Sequence, residues 1–274
     1  MGHNKVRNLL GKIDRLFAET LKSGKNDHAP WDAVSSLHRI GNRAIFDRAV
    51  AWSTSPEPLK RARAAAVLAQ LRHVPRGRKR HPQETQFLYR KESFDVVSEM
   101  LDKERDTYAL IAEISALGHI GNSAAIPIIA KFADHANEDV RFSVAWALGS
   151  YHDDPLSISV LQKLMEDVDR DVRDWAIFGL GVLGNADNEE IRLRFLRRLD
   201  DPFPDAKFEA AAALGKRQDA RLAKPLVEML KRYGDIISLR EAARDLLKMT
   251  DDPSDWSETE YIVALQRKFP STLN

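Results

Sequence analysis

The most basic stretch of the chain runs from Lys60 to Gln83, with eight Lys or Arg residues, two His residues and no Asp or Glu. Guanidinium and ammonium groups bind phosphates and gain affinity by releasing the counterions of a nucleic acid. They also pair with carboxylates on an acidic protein surface. Three interpretations stay open: a phosphate-binding loop, a docking loop for an acidic partner and a solvated insertion. The candidate contact residues are Arg72, Arg76, Arg78, Lys79 and Arg80.

Two features of the sequence weaken the nucleic-acid interpretation. The basic stretch contains no aromatic residue that could stack on a base. The carboxyl-terminal half is acidic, since residues 138–274 hold 26 Asp and Glu against 20 Lys and Arg, whereas residues 1–137 hold 15 against 22. We therefore favour a protein partner, and nucleic-acid binding, with or without an activity on nucleic acid, is the alternative.

A second candidate contact surface consists of aromatic residues at helical spacing. Phe142 and Trp146 fall on one face of a helix, and the repeat described below carries the same face to Phe178 and Phe208. On the concave side of a helical stack, exposed aromatic side chains would anchor a peptide or helix, because they bury much area at low entropic cost. The competing interpretation is that these rings pack on each other as core. A flat ligand such as a bilin would use the same residues.

No set of residues can be singled out as a catalytic or metal centre. The chain has no Cys, which excludes a thiolate nucleophile and sulfur ligands. His152, Asp153 and Asp154 precede Pro155, where a turn and a helix start are the expected structure. We therefore expect no catalytic residue, no metal site and no cofactor.

The elements that position these side chains repeat along the chain. Apolar residues at three- and four-residue intervals predict two helices in each repeat. The repeat period is about 33 residues, which is typical of a solenoid. The predicted fold class is all-α, an α-α superhelix of about six to seven helix pairs. Three similar segments, DVRFSVAWALG, DVRDWAIFGLG and DAKFEAAAALG, begin at Asp139, Asp171 and Asp205, which are 32 and 34 residues apart.

The second helix of each repeat has predicted ends and a predicted ladder of charges. Its first Asp is expected to cap free backbone amides, and its last Gly is expected to adopt a left-handed C-terminal cap. Arg141 and Arg173, with Lys207 as a weaker equivalent, recur beside acidic residues. They predict a ladder of ion pairs and caps between successive repeats.

The pattern D-V-R-x-x-A/V-x-x-x-L-G resembles the HEAT-type repeat, and most closely the short variant named after phycobilin lyases. The similarity spans about Trp31 to Met249 and implies an armadillo-like α-solenoid. It does not imply one activity, since that class includes adaptors, bilin lyase subunits, a di-iron hydroxylase and DNA glycosylase relatives. The di-iron enzymes resemble one another in His-Glu pairs on successive helices, and this sequence has no His-Glu dipeptide.

We predict one solenoid domain over residues 1–274. Residues 1–23 would form an amino-terminal capping helix, residues 31–249 the repeats and residues 257–269 a carboxyl-terminal capping helix. The spacing of 47 residues between Arg61 and its equivalent Tyr108, instead of about 33, predicts the basic insertion at about residues 73–90.

The sequence therefore predicts a non-enzymatic protein-interaction scaffold or adaptor that uses its concave aromatics and its basic insertion. Nucleic-acid binding is the first alternative, and a bilin lyase-like enzyme is the second. No apolar run approaches the length that crosses a bilayer, and the absence of Cys suits a reducing cytoplasm, so we expect a cytoplasmic protein without membrane contact.

Overall fold

The computed structural model describes residues 2–22, 28–73, 86–250 and 256–270. The chain divides into two compact units, Met1–Phe132 (unit one) and Ala133–Asn274 (unit two). Both are helical, which confirms the predicted all-α class of helical repeats. The single continuous domain expected over residues 1–274 stays a prediction. Among the described residues, no helix is both long and apolar enough to cross a membrane.

Unit one consists of helix pairs. Helix α1 packs on α2, α3 on α4 and α5 on α6, while α4 also contacts α2 and α6, so the second helices form one row. A 3₁₀ turn leads into the short α7. The bounds are α1 Gly2–Thr20, α2 His28–Ile40, α3 Arg43–Ser53, α4 Pro58–Leu68, α5 Arg90–Lys103, α6 Thr107–Ile120 and α7 Ile126–Ala130.

Two short strands, which were not predicted from the sequence, lie near the ends of the basic insertion. Strand β1 (Arg72–His73) pairs antiparallel with β2 (Gln86–Phe87). The backbone of β1 runs so close to the end of α2 that a Cβ on Gly41, where φ is +40°, would lie 2.2 Å from the Arg72 carbonyl oxygen. The pairing brings the two ends of the inserted segment together, and residues 74–85 between the strands lie outside the described residues.

Unit two continues the same pairing. Helix α9 packs on α10, α11 on α12 and α13 on α14, and the second helices α8, α10, α12 and α14 lie side by side. A π-helical turn, Phe178–Leu183, extends α10, and α15 packs on α13 and α14. The bounds are α8 Glu138–Gly149, α9 Pro155–Leu164, α10 Arg170–Ile177, α11 Glu189–Arg198, α12 Pro204–Lys216, α13 Ala223–Tyr233, α14 Ile237–Leu247 and α15 Glu258–Lys268.

The predicted capping residues are wrong by two positions. Asn137 caps α8 by accepting from the Val140 amide, and Asp169 caps α10 by accepting from the Val172 amide. The aspartates expected to cap these helices, Asp139 and Asp171, instead lie in the first turns, where their charge is favourable at the positive helix end. In α12 the N-cap position is Phe203, which makes no side-chain cap, and Asp205 lies in the first turn.

The left-handed caps predicted for Gly149, Gly181 and Gly215 are also wrong, since none of these glycines has a positive φ. Glycine occupies these positions because neighbouring second helices approach closely. A Cβ on Gly149 would lie 3.4 Å from the Gly179 Cα, and one on Gly215 would lie 2.6 Å from the Ala242 Cα. Glycine is therefore a packing residue at these positions.

The predicted ladder of ion pairs is confirmed in unit two. The Nε and Nη2 atoms of Arg141 donate to the Asp167 carboxylate at 2.7 and 2.8 Å, and those of Arg173 donate to Asp201 at 2.8 and 2.9 Å. Arg61 makes the same contact with Glu104 in unit one, at 2.6 and 2.8 Å. Within the described ranges Lys207, the weaker equivalent, forms no ion pair.

Each rung of the ladder also fixes two loops. The Nη1 atom of each arginine donates to a carbonyl six residues upstream, on Ser55, His135 or Asp167. Each carboxylate accepts from the amide two residues downstream, on Asp106, Asp169 or Phe203. Although burial opposes the charge, the hydrogen bonds from the arginine and from the backbone hold the pKa of Asp167 and of Asp201 below its usual range and that of Glu104 at about 2.

We expect Arg173→Ala to lower the free energy of unfolding by about 3 kcal/mol, because it removes the bidentate partner of the buried Asp201 carboxylate and leaves it with the Phe203 amide and the 3.2 Å contact to Arg198. Urea denaturation followed by circular dichroism measures the change. Lys163→Ala, which removes the exposed pair with Asp134, is the control and should cost less than about 1 kcal/mol. Equal losses for the two variants would contradict a structural role of the rung.

We expect Gly215→Ala to destabilise the protein by about 1–3 kcal/mol, because the added methyl group meets the backbone of Ala242 in α14. Gly11→Ala is the matched control, since a Cβ there has no atom within 4 Å. It should leave stability unchanged or raise it by up to about 1 kcal/mol. A tolerated Gly215→Ala would show that α12 and α14 are not held at this distance.

Candidate functional site

A cleft of about 530 Å³ opens over the amino-terminal halves of α8 and α10 in unit two. We call it the α8–α10 cleft. Two aromatic rings and five carboxylates line it, and the N-cap of α10 contributes one of the carboxylates. The lining residues are Glu138, Asp139, Phe142, Asp169, Asp171, Asp174 and Trp175.

The aromatic side chains of the cleft form an edge-to-face row. Trp175 stands between Phe142, at 5.7 Å between ring centroids, and Phe178, at 5.6 Å. The interplanar angles are 80° and 77°, which is a favourable arrangement for aromatic rings. All three side chains are half-buried. The contacts orient the rings while part of each surface stays open to solvent.

The aromatic positions derived from the sequence differ in their surroundings. Phe142 lines the cleft, Phe178 extends the row and Trp146 lies half-buried one turn further along α8. Phe208 is only 9% exposed and packs edge-to-face on Tyr233 at 5.1 Å, so the core interpretation fits this ring. A partner-binding role for the other three stays a prediction.

Trp175 is the central ring of the cleft, and the sequence analysis missed it. One repeat after Phe142, the equivalent position on the helix is Asp174 and not its neighbour Trp175. Trp175 could have been recognised from the sequence as a large aromatic residue at a position that the buried apolar face of the helix does not require.

The carboxyl groups around the cleft raise one another's pKa values. Burial, together with Asp205, Asp171 and Asp201, raises the pKa of Asp174 to about 6. Burial, together with Asp174, Glu241 and Asp205, raises the pKa of Glu209 on α12 to about 7. The Oδ1 atom of Asp174 is buried and has no hydrogen-bond partner among the described residues. The surface between α8 and α12 therefore carries negative charge that the fold does not neutralise.

Of the three arginines nearest this surface, two are engaged elsewhere and one contacts a lining carboxylate. Arg141 and Arg173 direct their guanidinium groups into the rungs with Asp167 and Asp201. Arg170 lies over the Phe203 ring, and its Nε is 3.5 Å from the exposed Asp171 carboxylate. Chemically, rings and unneutralised carboxylates in one cleft suit a cationic group.

A cleft of about 950 Å³ in unit one has a different character. Apolar residues such as Val50 and Met100 share its walls with charges that pair with each other. Arg61 pairs with Glu104, and Lys103 pairs with Glu99. Because these charges pair with each other, the lining of this cleft does not favour a ligand of either charge.

The basic insertion is described only in part. Arg72 lies in β1 and is half-buried, and its Nε is buried without a hydrogen-bond partner among the described residues. Arg76, Arg78, Lys79 and Arg80 lie outside the described residues. Their role in binding an acidic partner or a nucleic acid stays a prediction. In the ranges described, no group of three His, Asp or Glu side chains is arranged to hold a metal ion.

We expect Asp174→Asn to stabilise the protein at about pH 8, by about 1 kcal/mol, but not at about pH 4. A carboxyl group whose pKa is raised by folding favours the folded state most below its ordinary pKa, and this contribution is lost as the pH rises to about 6. Urea denaturation at both pH values measures the difference, with the exposed Asp200→Asn as control. A gain that is the same at both pH values would contradict the assignment.

Comparison with known proteins supports the repeat assignment. Residues 94–181 match the family described as HEAT repeats. A segment of 111 residues is 36% identical to Protein YibA of Escherichia coli K12, and the same match is found in strain O157:H7. This segment spans 39% of the chain and 38% of the relative's length, so YibA does not define an activity for the whole chain.

Solved structures extend the likeness to the whole fold. The crystal structure of Escherichia coli YibA covers 99% of this chain and 97% of its own, at 21% identity and a TM-score of 0.70. The CpcE–CpcF complex of phycocyanin lyase from Nostoc covers 95% and 94%, at 16% identity and a TM-score of only 0.45. HEAT repeats commonly mediate protein interactions. The chain therefore has an all-α helical-repeat fold, and its residues 94–181 match HEAT repeats.

Proposed function

We propose that this chain is a non-enzymatic scaffold or adaptor that binds a protein partner at the α8–α10 cleft. The observation that supports this proposal is the half-buried Trp175, which lines the cleft and is oriented by Phe142 and Phe178. Binding energy at protein interfaces concentrates on such anchors, because a large ring buries much area while losing little conformational freedom.

The arrangement of the second helices favours a protein segment as the partner. Helices α8, α10 and α12 lie side by side, so their outward side chains form a continuous surface along which a helix or an extended peptide could lie. The basic insertion, with Arg72, Arg76, Arg78, Lys79 and Arg80, is a proposed second contact with the partner.

The two alternative functions receive less support from the described residues. The carboxylates of the cleft would repel a phosphate backbone, so nucleic-acid binding would have to use the basic insertion alone. A bilin lyase-like activity relies on the resemblance of the repeats, and no described residue adds to it.

Affinity capture from a nuclease-treated lysate of the source organism tests the scaffold function. We expect the full-length wild-type chain to retain a stoichiometric protein. The double variant Phe142→Ala/Trp175→Ala should lose at least about 90% of it, because it removes both lining rings. Leu193→Ala, which truncates a 44% exposed side chain on α11, is the control and should retain the partner.

Circular dichroism and a thermal melt of each variant show whether it is folded. If the double variant proves unfolded, Trp175→Phe, which keeps an aromatic ring of smaller area, replaces it and should show a partial loss. Equal retention of the partner by the folded aromatic variant and by wild type would refute binding at this cleft, as would the absence of any retained protein.

A further inference from the structure

The carboxylates of the α8–α10 cleft differ in how many hydrogen bonds and ion pairs they form with the rest of the protein. Asp169 accepts from the amides of Asp171 and Val172 as the N-cap of α10, so its charge is partly compensated. Asp139 and Asp174 form no ion pair with the described residues, and the buried Oδ1 of Asp174 accepts no hydrogen bond from them. These two side chains have unused capacity to accept hydrogen bonds from a ligand.

The same cleft supplies aromatic surface next to those carboxylates. Asp174 and Trp175 are neighbours in sequence at the wall of the cleft, and Phe142 faces them from α8. A Lys or Arg cation is attracted to the face of an aromatic ring, and most strongly to Trp. A carboxylate beside the ring adds charge-assisted hydrogen bonds. A basic side chain could use both interactions at once.

The charges closest to Asp174 are predominantly acidic, and besides burial Asp205, Asp171 and Asp201 raise its pKa. The arginines among them belong to the rungs or, for Arg170, contact Asp171 and Phe203. The titratable and charged groups near Asp174 are Glu138, Asp139 and Arg141 on α8, Arg170, Asp171 and Arg173 on α10, Asp205 and Glu209 on α12, Glu241 on α14, and Asp167, Asp169 and Asp201 in the loops. The lysines on these helices are directed elsewhere: Lys163 on α9 pairs with Asp134, Lys216 on α12 donates to the carbonyl oxygens of Val182 and Gly184, and Lys207 on α12 lines a separate cleft beside α13. This environment is complementary to a cation.

We infer that the partner segment which enters the α8–α10 cleft is basic, with a Lys or Arg side chain that stacks on Trp175 and pairs with Asp139 and Asp174. The inference rests on the proposed function and adds the chemical class of the partner. A neutral or acidic segment would leave the carboxylates uncompensated in a cleft that binding removes from water, which is costly.

Binding of a basic segment should depend on pH. Asp174 and Glu209 are partly protonated near neutral pH because burial and their acidic neighbours raise their pKa values to about 6 and about 7. A bound cation favours the ionised form, so binding releases protons. The affinity should therefore fall as the pH is lowered from about 8 to about 5.

The test uses the full-length protein and fluorescently labelled oligo-arginine, oligo-glutamine and oligo-glutamate peptides of equal length. Fluorescence anisotropy measures the affinities at physiological ionic strength, so that weak long-range attraction is screened. The variant Asp139→Asn/Asp174→Asn neutralises the cleft. The variant Asp200→Asn/Glu228→Gln removes the same charge from two exposed positions outside it.

We expect wild type to bind the arginine peptide more tightly than the glutamine peptide, and to bind it more weakly at about pH 5 than at about pH 8. Any binding of the glutamate peptide should be unchanged in the cleft variant, because it would use the basic insertion. The cleft variant should lose at least about ten-fold in affinity, which corresponds to about 1.4 kcal/mol, while the control variant changes it by less than about two-fold. Phe142→Ala/Trp175→Ala should also weaken binding. Equal losses in the two charge variants would show that the peptide responds only to the net charge of the protein and would overturn the inference. A wild-type chain that binds the arginine peptide no better than the glutamine peptide would overturn it as well.

Partner capture with the same charge variants separates this inference from the proposed function. Loss of the captured partner in the cleft variant and its retention in the control variant would support a basic segment. If the aromatic variant loses the partner but the cleft charge variant keeps it, the scaffold function stands and the basic-partner inference is wrong. If neither variant loses the partner, both are wrong.

Discussion

The buried pair between a helix arginine and the carboxylate of the following repeat is the interaction on which the stack depends. The guanidinium of Arg173 bonds both oxygens of Asp201 and the carbonyl oxygen of Asp167, and Asp201 in turn accepts from the Phe203 amide. The Arg173 side chain thereby links groups on two successive repeats. Because the geometry is bidentate, the rung fixes orientation as well as distance between neighbouring helix pairs.

The rung sets the spacing between neighbouring helix pairs, and small residues let the second helices approach closely. At one such contact, a Cβ on Gly179 would lie 3.0 Å from the Gly149 Cα. The opposite ends of α8 and α10 carry Phe142 and Trp175, which contact each other by their rings instead. The backbones of α8 and α10 are therefore close together near the glycines and further apart near the aromatic rings, where the cleft lies.

The repeat, the helix pairs and the arginine ladder could be predicted from sequence because each depends on spacing within one helix or one period. The exposure of a side chain could not, because it depends on the helix that covers it. Phe142 and Phe208 occupy equivalent repeat positions, yet Tyr233 from α13 covers Phe208, whereas Phe142 borders an open cleft beside Trp175. Likewise, the raised pKa values of Asp174 and Glu209 require acidic groups from several helices, which no local pattern reveals.

The rungs that hold the repeats together also explain the charge of the cleft. Helices α8 and α10 have acidic residues in their first turns, which are favourable at the positive helix end, and each carries its rung arginine a few residues later. Since Arg141 and Arg173 are drawn inward to Asp167 and Asp201, they cannot neutralise Asp139 or Asp174 on the outer face. Helices α8, α10 and α12 therefore leave negative charge on one surface, and aromatic side chains on that surface give a cationic partner a place to bind.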